Sequence, residues 1–154
     1  TATLKLGATT PSFDMETEED SEKGCADVTP DLLSSTLLKF AGPIEQIPPV
    51  YSAVKVKGRR AFDYARNGQE LKLRPKKIVI KTITIESFDL PFLTIRVVCS
   101  KGTYIRALAR DIGRELGCGA YLTGLRRIRI GKYMVEDAMK VDDFLKNIHS
   151  FVTK

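Results

Sequence analysis

Phe92-Leu-Thr-Ile-Arg-Val-Val-Cys-Ser-Lys-Gly-Thr-Tyr-Ile-Arg-Ala-Leu-Ala-Arg-Asp-Ile-Gly113 changes its periodicity halfway along. Residues 92–98 are rich in β-branched side chains and read as a strand, whereas after Thr103 the apolar residues recur at helical spacing. Tyr104 and Arg106 therefore fall at a strand-to-helix junction. Gly102 can take backbone angles there that other residues avoid, and the unpaired N–H groups of a first helical turn favour anions such as phosphate. Both side chains are candidate site residues. The competing readings are a tyrosine at the edge of the core and an arginine in a surface ion pair.

Just upstream, Lys76-Lys-Ile-Val-Ile-Lys-Thr-Ile-Thr-Ile-Glu86 alternates apolar and polar residues with period two, and Asp89-Leu-Pro91 turns the chain into the strand at 92–98. Two adjacent strands follow from that pattern. Downstream, the sequence predicts a short helical segment near Tyr121, a strand at 128–130 and a last helix over 141–148. Nearer the start, residues 2–7 read as a strand, and 10–27 as a polar, acidic loop whose carboxylates, including those of Glu16-Thr-Glu-Glu-Asp20, are solvated. Thr29-Pro-Asp-Leu opens a helix, with threonine as cap and proline at the first helical position; Leu32, Leu33, Thr36, Leu37 and Phe40 line one face, and Gly42-Pro43 stops it. In Gln46-Ile-Pro-Pro-Val-Tyr-Ser-Ala-Val-Lys-Val-Lys-Gly58 two prolines impose an extended path, residues 51–57 alternate as in a hairpin, and a short helix over 60–66 ends at Asn67-Gly68. Strands and helices do not alternate regularly, so the fold class is α+β with a mainly antiparallel sheet.

At 154 residues, 43% hydrophobic and 29% charged, the chain has the makings of one ordinary globular domain. No apolar run is long enough to span a bilayer and there is no secretory pattern at the N-terminus, so a cytoplasmic location is expected. Cys25, Cys99 and Cys118 have neither the number nor the spacing for a disulfide framework or a zinc site and read as reduced thiols. The single His149 has no neighbouring ligands in the sequence. Charge is unevenly placed: residues 1–50 hold three basic against nine acidic residues, a net −6, which leaves +12 for the rest of a chain whose total is +6. A basic surface of that size suits a polyanion, of which nucleic acid is the commonest.

Taken together these stretches resemble the TruB family of tRNA pseudouridine synthases. The resemblance rests on Leu6-Gly-x-x-Thr with Asp14, on Gln46-Ile-Pro-Pro-x-Tyr-Ser-Ala-x-Lys55 with Gly58, Tyr64-Ala-Arg66 and Gly68, and above all on Cys99-Ser-Lys-Gly-Thr-Tyr-Ile-Arg106. Asp111-Ile-Gly113, Leu116-Gly-Cys-Gly-Ala120 and Leu125-Arg-Arg127 complete it. It implies a pseudouridine synthase catalytic fold over 1–154, with 136–154 a helical extension, acting on the T-arm stem-loop of tRNA as a monomer and without a cofactor. Tyr104 matches the tyrosine that packs on the target base and helps remove its C5 proton, and a phenol offers both a stacking face and a proton-handling group. Arg106 matches the arginine that holds the catalytic aspartate ionised. Leu125 matches an apolar wall of the uracil pocket, with plain core as its rival. Lys101, Arg126 and Arg127 would serve the RNA backbone. Tyr51, Ser52 and Lys55 are either part of the RNA groove or, with Pro48, Pro49 and Ala53, a packed corner; Lys57, Arg59 and Arg60 are a phosphate-binding tip or a solvated hairpin end.

One family feature has no match. The catalytic aspartate sits in a Gly-x-Leu-Asp-Pro-like segment that would precede Thr1, as would a second active-site tyrosine. Asp14, in Ser-Phe-Asp-Met, and Asp111, a helical residue that orders its own surroundings, are not in that context. The expectation is that these residues are the later two thirds of a synthase and that the nucleophile comes from a missing N-terminal part of the same protein. The alternative is a catalytically inactive piece that binds RNA or a partner. A generic ferredoxin-like or OB-type RNA binder is a weaker rival, since it needs aromatic residues interleaved on a sheet face.

Overall fold

The computed structural model describes the backbone of residues 1–152 except 57, 68 and 70, and the side chains of these apart from 65, 66, 147 and 149–152. In chain order the elements are β1 (Ala2–Leu6), β2 (Ala8–Thr9), β3 (Ser21–Glu22), α1 (Pro30–Leu38), β4 (Gly42–Gln46), β5 (Lys55–Val56), β6 (Arg59–Arg60), α2 (Ala61–Arg66), β7 (Lys76–Asp89), β8 (Phe92–Cys99), α3 (Ile105–Glu115), β9 (Ala120–Leu125), β10 (Arg129–Ile130), β11 (Tyr133–Met134) and α4 (Val141–Val152). Five strands form one sheet in the order β4-β7-β8-β1-β9, antiparallel at every pairing. The architecture is α+β, as the mixed periodicity requires.

Alternation along the strands builds the core. Ala2, Leu4 and Leu6 of β1, Ile78 and Ile80 of β7, and Leu93 and Ile95 of β8 are buried and meet Leu33 and Leu37 of α1 and Leu108 and Ile112 of α3. Each fully buried leucine or isoleucine contributes roughly 1.5–3 kcal/mol. α3 lies directly on β9: a Cβ added at Gly113 would come within 2.1 Å of the Ala120 nitrogen, so only glycine fits that turn of the helix. Thr29 caps α1, accepting the Leu32 N–H at 3.2 Å.

Several expectations need correction. Residues around Tyr121 are not helical; they form β9, because the polar backbone of that apolar run is satisfied by pairing with β1 from Ala2↔Leu125 to Leu6↔Ala120. Gly42-Pro43 does not merely stop α1 but begins β4, where proline is tolerated because β4 is the outer strand. The expected hairpin over 51–57 is reduced to the two-residue pairing of β5 with β6. Lys57 and Gly68, assigned to the basic tip and to a helix cap, lie outside the described residues, as does the His149 side chain. The segment 10–27 is not a free acidic loop: Thr10 is 2% and Ser12 0% exposed, β2 pairs with β3, and Glu19 accepts bonds from Lys5 at 2.7 Å and Tyr121 at 2.6 Å.

Candidate active site

Register brings the end of β8, the end of β9 and the end of β4 to one edge of the sheet. Ile80 pairs with both Gly42 and Cys99, Gln46 pairs with Lys76 beyond them, and Leu125 pairs with Ala2. The turn from β8 into α3 opens at that edge. Gly102 has φ +83, a left-handed angle that carries the chain round, and Thr103 donates its hydroxyl to the Ser100 carbonyl at 2.9 Å. Tyr104 then stands in extended backbone (φ −94, ψ 107) as the N-cap of α3. This is why the helix begins at Ile105 rather than Thr103.

Arg106 turns into the segment after β2. Its Nη1 donates to the Asp14 carboxylate at 2.7 Å and lies 3.9 Å from a Glu16 oxygen, and its Nη2 donates to the Tyr51 carbonyl. The Arg106 and Asp14 side chains are 21% and 24% exposed, so water screens the pair only in part. Asp14 is held in turn: its Oδ1 accepts the Ser12 hydroxyl at 2.6 Å and the Glu16 N–H at 3.1 Å, and its carbonyl accepts the Thr10 hydroxyl at 2.7 Å. Burial pushes its pKa up, but the Ser12 and Glu16 bonds and the Arg106 charge outweigh burial and leave it below the ordinary 3.8. The carboxylate read as solvated is thus an ionised partner of Arg106.

The preceding residue explains how Asp14 is aimed. Phe13 has φ +64, a conformation costing of order 1–3 kcal/mol for a bulky side chain. Its ring lies 4.9 Å from the Arg110 guanidinium, and its carbonyl accepts the Leu122 N–H of β9 at 3.0 Å. Arg110 also chelates Asp111 at 2.8 and 3.0 Å and donates to the Ile47 carbonyl at 3.0 Å. Asp111 does order its own surroundings, through that arginine. Among the described residues no three His, Cys, Asp or Glu side chains come together as a metal site would need.

Residues 1–105 match the TruB family pseudouridylate synthase (N terminal domain), and residues 106–153 match the tRNA pseudouridylate synthase B C-terminal domain. The chain belongs to the TruB family. The junction between the two matches falls at the start of α3, yet β9 from the second pairs with β1 from the first, so both TruB segments share one sheet. Among curated relatives, tRNA pseudouridine synthase B of Parabacteroides distasonis is 53% identical over 148 residues, covering 94% of this chain and 63% of the relative. That of Phocaeicola vulgatus is 54% identical over 143 residues, covering 93% and 61%. The chain therefore spans somewhat less than two thirds of the TruB relatives it matches. Among solved structures it superposes on a chain of a Cbf5-Nop10-Gar1 complex with TM-score 0.68 and 25% identity, covering 98% of this chain and 36% of that one.

The remaining TruB motif residues divide by exposure. Tyr51 is half-buried and gives its carbonyl to Arg106, while Ser52 is 4% exposed and Pro48 and Pro49 are buried, so this part is a packed corner that also supports the site. Lys55, Arg59, Arg60 and Lys101 are exposed. Leu125 is 57% exposed at the end of β9, which rules out plain core. Arg126 and Arg127 follow it, both exposed, with the Arg126 N–H bonded to the Thr1 carbonyl at 2.8 Å. Asp14, Ser12 and Arg110 are the residues that sequence reasoning left without a role. The spacing Thr10-x-Ser12-x-Asp14 was a local signal, since short hydroxyl and carboxylate side chains at such intervals cap their own turn.

Proposed function

We propose that the protein containing these residues converts a T-arm uridine of tRNA to pseudouridine. The observation that carries this is the Arg106 guanidinium, fixed by Asp14 and by the Tyr51 carbonyl and two residues from Tyr104 at one edge of the sheet. The names of the relatives, each a tRNA pseudouridine synthase B, support the same chemistry.

The reaction breaks the N1–C1′ glycosidic bond, turns the uracil, forms a C5–C1′ bond, and moves the C5 proton off the ring as N1 gains one. It needs the base out of its stack. An aspartate from outside residues 1–154 is the nucleophile. Arg106, with five N–H donors, has directions left for that carboxylate after serving Asp14 and Tyr51. Tyr104 packs on the base and assists removal of the C5 proton. Leu125 forms an apolar wall of the pocket. Lys55 lines its approach, Tyr51 and Ser52 form the packed corner that supports it, and Lys101, Arg126 and Arg127 meet phosphates. Residues 136–154 serve as a helical extension of the catalytic domain, the protein works as a monomer in the cytoplasm, and no cofactor takes part.

Replacing Arg106 with alanine in the full-length protein is expected to lower pseudouridine formation in a T-arm stem-loop by more than about a hundredfold. Near-normal turnover would sink the assignment. Supplying the segment that precedes Thr1 in trans to residues 1–154 tests the source of the nucleophile: activity from 1–154 alone would refute it. RNA binding by 1–154 without activity in either case would favour the reading as an inactive RNA-binding piece.

A further inference from the structure

Gln46 opens the motif that runs to Lys55 but has no part in the reaction just described. It is the last residue of β4 and 2% exposed. Its amide is used twice on the main chain of a single residue: Nε2 donates to the Tyr104 carbonyl at 3.1 Å, and Oε1 accepts the Tyr104 N–H at 2.9 Å. That reciprocal pair is the pattern of an antiparallel ladder, made here by a side chain. Tyr104 depends on it, because as an N-cap its N–H lies outside the helical bonding and its own side chain caps nothing. The same stretch ties itself to α3 twice more, with Ile47 accepting from Arg110 at 3.0 Å and Tyr51 accepting from Arg106. Residues 46–51 thus form a strap across the first two turns of α3.

We propose that Gln46 is a positioning residue that sets the main chain of Tyr104, and through it the aim of the Tyr104 ring and of Arg106 two residues later, on the target uridine. The inference rests on the roles given to Tyr104 and Arg106 above. Geometry restricts the position closely. Glutamate keeps the acceptor but offers the Tyr104 carbonyl no proton when ionised, methionine has the length without either group, and asparagine is one methylene short.

The test uses Gln46→Met and Gln46→Glu in the full-length protein, with RNA affinity, single-turnover pseudouridine formation on a T-arm stem-loop, and amide hydrogen exchange. The expected result is an RNA Kd within about twofold of wild type and a chemical rate lower by about 10- to 100-fold, the scale of a small misplacement of reacting groups. Exchange of the Tyr104 amide should rise about tenfold or more, while the Ile112 amide farther along α3 keeps its protection. Equal loss of protection along all of α3, or a rate unchanged in both variants, overturns the proposal. If wild-type protein forms no pseudouridine, the reaction fails and exchange alone decides the hold on Tyr104: selective loss at that amide upholds it, and unchanged protection overturns it.

Discussion

Two clusters in this protein use the same three residue types, a cation, a carboxylate and a tyrosine, to opposite ends. At the edge where α3 begins, Arg106 meets Asp14 while Tyr104 is gripped by Gln46. Beside the middle of β1, Lys5 meets Glu19, which also accepts from Tyr121. In the second cluster the side chains of Lys5 and Glu19 are 31% and 35% exposed and, among the described residues, bond each other and the Tyr121 hydroxyl. In the first, every charged side chain is also bonded to main chain or to a neighbour that is: Arg106 to the Tyr51 carbonyl, Asp14 to the Glu16 N–H. Charges tied to the backbone have one geometry, and the proposed chemistry needs one geometry. Charges that hold only each other tie down a loop.

Exchanging the cations gives the largest contrast. Arg106→Lys keeps the charge but cannot span Asp14 and the Tyr51 carbonyl together, and the rate of pseudouridine formation is expected to fall at least about 30-fold. Lys5→Arg should leave it within twofold. A lysine at 106 that supports full turnover would erase the distinction between the clusters.

Exchanging the carboxylates comes next. Asp14→Asn removes the negative partner of Arg106 and should slow the reaction about tenfold or more and destabilise the fold by roughly 1–3 kcal/mol at neutral pH. The pH dependence has a definite sign. A carboxyl whose folded pKa lies below its ordinary 3.8 adds stability that is complete above that value and is lost as pH falls through the lowered one. Wild type and Asp14→Asn should therefore converge in urea titrations as the pH falls through that lowered value. Parallel curves down to acid would show that Asp14 contributes no such linkage. The smallest effect is expected from Tyr121→Phe. Burial first, and then the bond to Glu19, raise the Tyr121 hydroxyl above the ordinary 10.0, so its share of stability is present below that pH and lost as pH rises through the raised value. The variant should lose about 1 kcal/mol at neutral pH, show a flatter alkaline limb, and keep its catalytic rate.

What the sequence disclosed and what it hid follow the same division between local and distant partners. β7 and β8 were legible because a period of two is written into neighbouring residues, and α1 because Thr29 and Pro30 mark its start within one turn. β9 was misread because a short apolar run fits helix or strand alike, and the deciding partner, β1, is more than a hundred residues away. β4 was hidden by a Gly-Pro pair that normally stops a helix and is compatible with a strand only at an edge. Tyr104 and Arg106 stood out as candidate site residues. Asp14 did not, because its acidic surroundings read as solvent-facing and the arginine that changes its meaning lies 92 positions later. Gln46 was visible as a motif residue, but its two bonds to Tyr104 span 58 positions and leave no local trace.

The place of β1 in the sheet sets the order in which the protein can be assembled as it is made. Its neighbours are β8, beginning at Phe92, and β9, ending at Leu125. β1 is therefore made before both of the strands that flank it. At ordinary rates of synthesis those two partners follow it on the order of ten seconds later. Over that interval Lys5, the one charged residue of β1, discourages that strand from pairing with another nascent chain.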